Sequence, residues 1–347
     1  MEAPEVPQGI DAARVGRFFE RVLPAFGAPL RFELISGGRS NLTYRVSAPG
    51  GSCVLRRPPL GHVLPTAHDM VREHRVLAAL ADTDVPVARP LALCEDPEVN
   101  GAPFYVMEYR PGIVVNEHVP EGFAPTREER RAISLALVDV LARLHRVDYA
   151  ARGLADFGRP EGYLERQVRR WSQQWEKSKV AELPEIDELI RWLRAALPAS
   201  PAPTLVHGDY RLGNLALDPA EPGRIRAVFD WEMATLGDPL ADLGYTLIYW
   251  GEEADPPEER LPGSFQAVTA QPGFLTRAEL AAEYARRSGV DVAHVDFYRV
   301  LALYKLAVIS EGIYARHQQG MTLGRGFENL QRSSVWLARR GLALTGA

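Results

Sequence analysis

Apolar residues alternate with polar ones in short runs through the first third of the chain and recur at helical spacing through the rest. A helix over residues 11–26 comes first, with Val15, Phe18, Phe19 and Val22 on one face and Pro24 and Gly27 at its end. Residues 30–35 alternate as a strand, break at Ser36-Gly37-Gly38-Arg39-Ser40-Asn41 and resume over 42–46, which predicts a hairpin. A third strand follows over 52–56. A helix over 69–80 sets Met70, Val71, Val76, Leu77 and Leu80 on its buried face, and strands over 86–93 and 104–109 flank a turn at Asn100-Gly101. Pro111-Gly112 ends this part.

From there the period is helical. Thr126-Arg127-Glu128-Glu129 is a capping box that opens a helix running to about His145. Further helices are predicted over 163–179, 185–197 and 239–249, from a second cap at Thr276 to about Gly289, and over 295–314 and 328–344. The fold class is α+β. Residues 1–110 form a strand-bearing unit with a leading helix, and residues 111–347 form a larger helical one.

Three short apolar runs interrupt the helical part, and they frame its chemistry. Leu205-Val206 leads into His207-Gly208-Asp209-Tyr210-Arg211-Leu212-Gly213-Asn214, which is followed by Leu215-Ala216-Leu217. A carboxylate at Asp209 and a carboxamide at Asn214 let one loop aim a base at a hydroxyl and a neutral oxygen ligand at Mg²⁺. The run over 225–229 ends at Asp230-Trp231-Glu232. Turn formers at Asp218-Pro219 and Pro222-Gly223 join it to the preceding run, so a hairpin brings Asp230 back beside Asn214 as a charged second ligand. Such a site suits phosphoryl transfer. Upstream, the small residues Gly37, Gly38 and Ser40, with Asn41, leave backbone N–H groups uncovered for a phosphate.

Bulk properties narrow the partners. With 40 Lys and Arg against 45 Asp and Glu, the net charge of -5 gives no general electrostatic case for nucleic acid or an anionic membrane. The two cysteines, Cys53 and Cys94, make no disulfide framework or metal spacing, and no apolar run approaches the length of a membrane span. A cytoplasmic protein acting on a small molecule is expected.

Taken together, His207-Gly208-Asp209, Asn214 and Asp230 resemble the catalytic loop and metal-binding Asp of the aminoglycoside phosphotransferase family, within the protein-kinase-like superfamily. The resemblance spans about residues 32–342 and implies a two-lobed kinase-like fold that uses ATP, with GTP not excluded, and Mg²⁺. In its terms Asp209 receives the substrate hydroxyl proton, Asn214 and Asp230 hold the cation, and Arg211 stands where protein kinases often carry a Lys facing the γ-phosphate. Arg56 takes the place of the Lys that touches the α- and β-phosphates, paired with Glu73, and an arginine fork suits both partners. The hinge falls at Met107, Glu108 and Tyr109, where backbone would pair with the base and Met107 would close the pocket behind it. Gly208 stands where protein kinases place the Arg that reads an activation loop, so no such switch is expected.

Within the family the chain most resembles the kinase-like domain fused to, or encoded with, acyl-CoA dehydrogenases. Val54-Leu55-Arg56-Arg57-Pro58-Pro59, Arg166-Gln167-Val168 and Asp230-Trp231-Glu232 carry that likeness. It implies phosphorylation of hydroxyacyl groups as CoA thioesters, with acyl-CoA dehydrogenase pathway enzymes as partners. The stretch 161–180 agrees. It holds Arg166, Arg169, Arg170, Lys177 and Lys179 against Glu161, Glu165 and Glu176, a local charge of +2. Arg166, Arg169 and Arg170 share a helix face suited to phosphate, with Trp171 and Trp175 adjacent for an apolar chain or an adenine ring. Competing readings are an aminoglycoside or amino-alcohol kinase and a nucleotide-binding pseudokinase scaffold. A hydrolase lacks support, with no Gly-x-Ser-x-Gly, His-Glu-x-x-His or Walker motif in the chain.

Overall fold

Strand alternation decides which way each face of the first sheet looks. In the computed structural model, which describes residues 6–36, 41–60, 68–256, 260, 266–320 and 330–346, the chain opens with α1 (Ala12–Val22). Strands β1 (Arg31–Ser36), β2 (Leu42–Ala48) and β3 (Gly51–Arg57) follow, then α2 (Met70–Leu80), β4 (Pro90–Cys94), the single turn α3 (Pro97–Asn100) and β5 (Phe104–Glu108). The five strands form one antiparallel sheet in the order β1-β2-β3-β5-β4. On β3, Cys53 and Leu55 join Phe18 and Phe19 of α1 in one apolar cluster, while Val54 faces Leu77 of α2 in the other. Arg56 shares the Val54 face by its period of two. Arg57 points the other way, donating to the carbonyls of Gly9 and Asn100 at 2.6 and 2.8 Å.

Several boundaries differ from the sequence pattern. The first helix stops at Val22, because the next residues form a tighter turn over Pro24–Phe26. Val22 is 41% and Val71 37% exposed, so both lie off the buried stripe of their helices. The strand expected over 86–93 begins only at Pro90. The turn expected at Asn100-Gly101 is the end of α3, with Gly101 at φ 75°.

The remainder is helical around two small ladders. Its elements are α4 (Arg127–His145), α5 (Tyr163–Ser178), α6 (Pro184–Ala195), β6 (Thr204–Val206), β7 (Leu215–Leu217), β8 (Ile225–Val228), β9 (Thr235–Gly237) and α7 (Pro239–Tyr249). Then come α8 (Gln266–Thr269), α9 (Arg277–Ser288), α10 (Val295–Gln318) and α11 (Leu330–Ala343). Both capping boxes form, Thr126 with Glu129 and Thr276 with Glu279. β6 pairs with β9 and β7 with β8, all antiparallel. Helix α10 runs to Gln318, four residues beyond its expected end, and packs on α7, α5 and α11. No helix among the described residues is long and apolar enough to cross a membrane.

Candidate active site

The loop after β6 is held from behind by one carboxylate. Asp242, fully buried on α7, accepts the backbone N–H groups of His207 and Gly208 at 2.6 and 2.7 Å and lies 3.2 Å from His145 Nε2. Burial alone would raise its pKa, but the hydrogen bond and charge of His145 and the His207 backbone N–H carry it below the ordinary aspartate value. The far nitrogen of His145 meets the hydroxyl of Tyr284 at 2.7 Å. His207 lies with Nε2 2.8 Å from the Phe229 carbonyl, which only an N–H can satisfy, so Nδ1 is left to accept the N–H of Asp209 at 3.2 Å. Gly208 has φ 83°, and a Cβ there would stand 2.6 Å from the carbonyl oxygen of Met233. The packing of this loop accounts for glycine at that position.

The loop end and the following hairpin bring three polar side chains together. Asn214 Nδ2 donates to the carbonyl and to Oδ2 of Asp209 at 2.8 and 2.7 Å, and Arg211 Nε reaches Asp209 Oδ1 at 3.2 Å. Leu215 pairs with Val228, and the N–H of Phe229 donates to the carbonyl of Asn214 at 2.8 Å, so Asp230 emerges beside Asn214. Asp230 is itself left-handed, at φ 65° and ψ 65°, a conformation that costs a non-glycine residue about 1 kcal/mol.

Across the cleft, Arg56 ties the sheet to this hairpin. Its Nε donates to Glu73 Oε2 at 2.9 Å, Nη1 to Thr43 Oγ1 at 3.2 Å and Nη2 to Asp230 Oδ1 at 2.6 Å. Glu73, 2% exposed, also accepts from the Tyr105 hydroxyl at 3.0 Å and from Asn41 Nδ2 at 2.7 Å. Burial pushes the Glu73 carboxyl up to about 7 against the pull of Arg56. Arg56 and Asn41 offer it only donors, while the Tyr105 hydroxyl can either donate to the carboxylate or accept from the acid.

Two cavities meet at the loop. The first, of about 470 Å³, is backed by Val54, Ala88 and Met107, edged by Glu108 and Tyr109, and closed by Arg56, Arg211, Asn214 and Asp230. The second, of about 500 Å³, is lined by Arg72, Arg159, Arg166, Arg169, Arg170 and Lys305, with Trp171, Gly208 and the single carboxylate Glu232. Arg166 donates to the carbonyls of Glu161 and Arg159, which fixes its fork at the start of α5.

One expectation of the sequence is corrected here, and one lies outside the described residues. Trp175 is 1% exposed and packs in the main core cluster, lining neither cavity, whereas Trp171, one turn earlier on α5, borders the second. Glu73 pairs with Arg56 as expected, from behind it and off the cleft wall, and the Asn41 side chain turns inward onto Glu73 and Glu232. Gly37, Gly38 and Ser40 lie outside the described residues. Thr43, Tyr105, Arg72, Glu232 and Lys305 also reach the site, though no motif in the sequence gives them a role there. Tyr105 was findable, since it alternates with Phe104 onto the Val54 face. Arg72 was not, because its partners, the carbonyls of Phe157 at 2.5 Å and Ala234 at 3.1 Å, are 85 and 162 residues away.

An antiparallel five-stranded sheet with one helix crossing to a helical lobe, and a His-Gly-Asp loop at their junction, define a phosphotransferase of protein-kinase-like fold. The chain belongs to the phosphotransferase enzyme family, whose sequence model matches residues 31–298. It is 38% identical over 302 residues to acyl-CoA dehydrogenase family member 10 of Mus musculus, covering 84% of this chain and 27% of that protein. It is 34% identical over 344 residues to acyl-CoA dehydrogenase family member 11 of Gallus gallus, covering 96% of this chain and 43% of that one. The chain thus spans less than half the length of either relative. A crystal structure from Ralstonia eutropha, provisionally described as an aminoglycoside phosphotransferase, superimposes with a TM-score of 0.82 at 34% identity, covering 97% of this chain and 98% of the other.

Proposed function

We propose that the chain transfers the γ-phosphate of ATP to a hydroxyl on an anionic acyl conjugate, a hydroxyacyl-CoA, in a Mg²⁺-dependent reaction. The observation that carries this reading is the pair of cavities that border the His-Gly-Asp loop, one apolar-backed and nucleotide-sized and lined by Arg211 and Asn214, the other reaching Gly208 and lined, among the described residues, by six cations and one carboxylate. Polycationic aminoglycosides would meet like charge in the second cavity, whereas the phosphates of a CoA ester would meet arginine forks.

The donor set fits Mg²⁺. Asp230 Oδ2 and Asn214 Oδ1 carry no hydrogen bond among the described residues, and both are hard oxygen donors on the wall of the first cavity. Among the described residues no cluster of three His, Cys, Asp or Glu stands ready as a cage, which suits an ion that takes one or two protein oxygens and completes its shell with phosphate and water. Asp230 and Asn214 would hold that ion, and its charge would offset the charge on the transferring phosphoryl group. The protein's own groups do the rest. Asn214 Nδ2 and Arg211 fix the Asp209 carboxylate, which receives the acceptor hydroxyl proton, while Arg56 and Arg211 neutralise phosphate oxygens. Backbone at residues 108–110 pairs with the base, and Met107 closes the pocket behind it.

A nucleotide-binding scaffold is a second reading, motivated by the Arg56–Asp230 pair, which occupies one oxygen of the cation ligand. Two relatives that carry this segment are named as acyl-CoA dehydrogenases, and we place the chain's product in a cytoplasmic route shared with such an enzyme. Comparing kcat/KM for a 4-hydroxyacyl-CoA and for kanamycin tests the acceptor. Turnover of the thioester is expected; efficient kanamycin phosphorylation without it overturns the reading, and ATP binding with no turnover of any hydroxylated compound favours the scaffold.

A further inference from the structure

Lys305 interrupts an otherwise apolar stretch of α10, between Tyr304 and Leu306. Its ammonium donates to the carbonyl of Gly208 at 3.1 Å and stands 4.9 and 5.9 Å from the ring centroids of Tyr245 and Trp171. Burial draws its pKa down, and the nearby carboxylates of Asp209 and Asp242 act the other way. An ammonium has three donors, and among the described residues only the Gly208 carbonyl accepts from this one. Lys305 is half-buried on the wall of a cavity, so its two remaining donors are turned to water or to a ligand there, and a ligand oxygen that replaces that water gains a charged hydrogen bond.

The position says which ligand atom does so. Lys305 lines the second cavity and not the first, so it faces the acceptor rather than the nucleotide. Its hydrogen bond falls on the residue immediately before Asp209, and consecutive Cα atoms are only about 3.8 Å apart. Whatever it binds therefore lies a short chain away from the hydroxyl that meets Asp209. The two rings hold the ammonium in place, so little order is lost when a ligand arrives. Arg166 and Arg170 line the same cavity from α5 and are suited to phosphates further along the acceptor.

We infer that Lys305 is a specificity-determining residue of the acceptor site, donating a hydrogen bond to a carbonyl or carboxylate oxygen a short chain from the reacting hydroxyl. The inference rests on the phosphotransfer reading above. It explains how a site lined mainly with phosphate-binding arginines can choose an acyl conjugate over other phosphorylated alcohols.

The test uses a matched pair of acceptors, a 4-hydroxyacyl-CoA thioester and the S-(4-hydroxyalkyl)-CoA thioether that lacks only the carbonyl oxygen. Wild-type protein should favour the thioester by about 30-fold in kcat/KM, as expected for a charged hydrogen bond. Lys305→Met should bring the kcat/KM ratio of thioester to thioether down to about 1, with the loss on the thioester expressed in KM, whatever change is common to both compounds, and Lys305→Arg should restore part of the preference. A preference that survives in Lys305→Met, or equal losses on both compounds, overturns the assignment. Calorimetric binding of the same pair to Asp209→Asn, with and without Lys305→Met, reads the discrimination without chemistry. Discrimination there with no turnover in the wild type would overturn the phosphotransfer reading while supporting the role of Lys305; equal binding of the two compounds would remove that role.

Discussion

Arg56 and Asp230 face each other across the cleft at 2.6 Å, so the guanidinium that binds Glu73 also holds the carboxylate offered to a cation. One side chain thus joins the buried acid of α2 to the hairpin of the helical lobe. Arg56 neutralises Asp230 in this structure, and on the proposed reading bound phosphate and Mg²⁺ would compete for the two partners. The pair is a bridge between the lobes as well as part of the site.

This bridge makes Arg56 and Glu73 strongly coupled. Glu73 is 2% exposed and Arg56 11%, so removing either leaves the other charge with little water to compensate it. Arg56→Ala and Glu73→Gln should each raise KM for ATP about 10-fold or more, and the double mutant should be little worse than either. A double-mutant cycle should return a coupling of about 1–3 kcal/mol. Additive effects would show that the two residues act separately.

Asp230 should set the dependence on Mg²⁺. Asp230→Asn removes the only formal charge among its two proposed ligands, and rate against free Mg²⁺ should shift to higher concentration with a large fall in the plateau. EDTA in excess should abolish wild-type turnover. Persistence of that turnover would rule out the assigned cation.

Asp209 serves chemistry on this reading and contributes little to the fold. Its carboxylate accepts from Asn214 and Arg211, and an asparagine oxygen can accept from either. Asp209→Asn should lower kcat by about 10²–10⁴-fold while KM for ATP and Tm change little. A mutant that unfolds but keeps full activity per folded molecule would make Asp209 structural.

What was legible in the sequence follows the range of the interaction. The approach of Asp230 to Asn214 is a hairpin property, written in the turn residues between β7 and β8, and the opposite aims of Arg56 and Arg57 follow from strand alternation. Contacts made by the tertiary fold left little trace. Asn41 reaches Glu232 from 191 residues away, and β9 is three residues with no alternation of its own. Trp175 shows the limit of a helical stripe, which reports that two tryptophans share a face but not which of them borders a cavity. Lys305 left a weak signal, a lone cation in an apolar helix. Its meaning depends on Gly208, 97 residues earlier in the chain.

Asp242 should govern how the catalytic loop responds to acid. Its folded-state pKa lies below the ordinary aspartate value, burial being outweighed by His145 and the His207 backbone. As pH falls, the unfolded chain takes up the proton first. The contribution of Asp242 is therefore fully present above about pH 3.9 and is lost as pH falls through the lower folded value. Asp242→Asn keeps the shape but donates where the N–H groups of His207 and Gly208 need an acceptor, or offers them one neutral oxygen in place of two charged ones. It should cost about 3 kcal/mol at pH 7. Chemical denaturation of both proteins from pH 7 to pH 2 separates this residue from other carboxylates with lowered pKa values, such as Asp218 and Asp255, which titrate alike in each. The gap between wild type and Asp242→Asn should be constant down to about pH 4 and then narrow. Parallel curves to pH 2 would mean that the charge on Asp242 does not hold the loop.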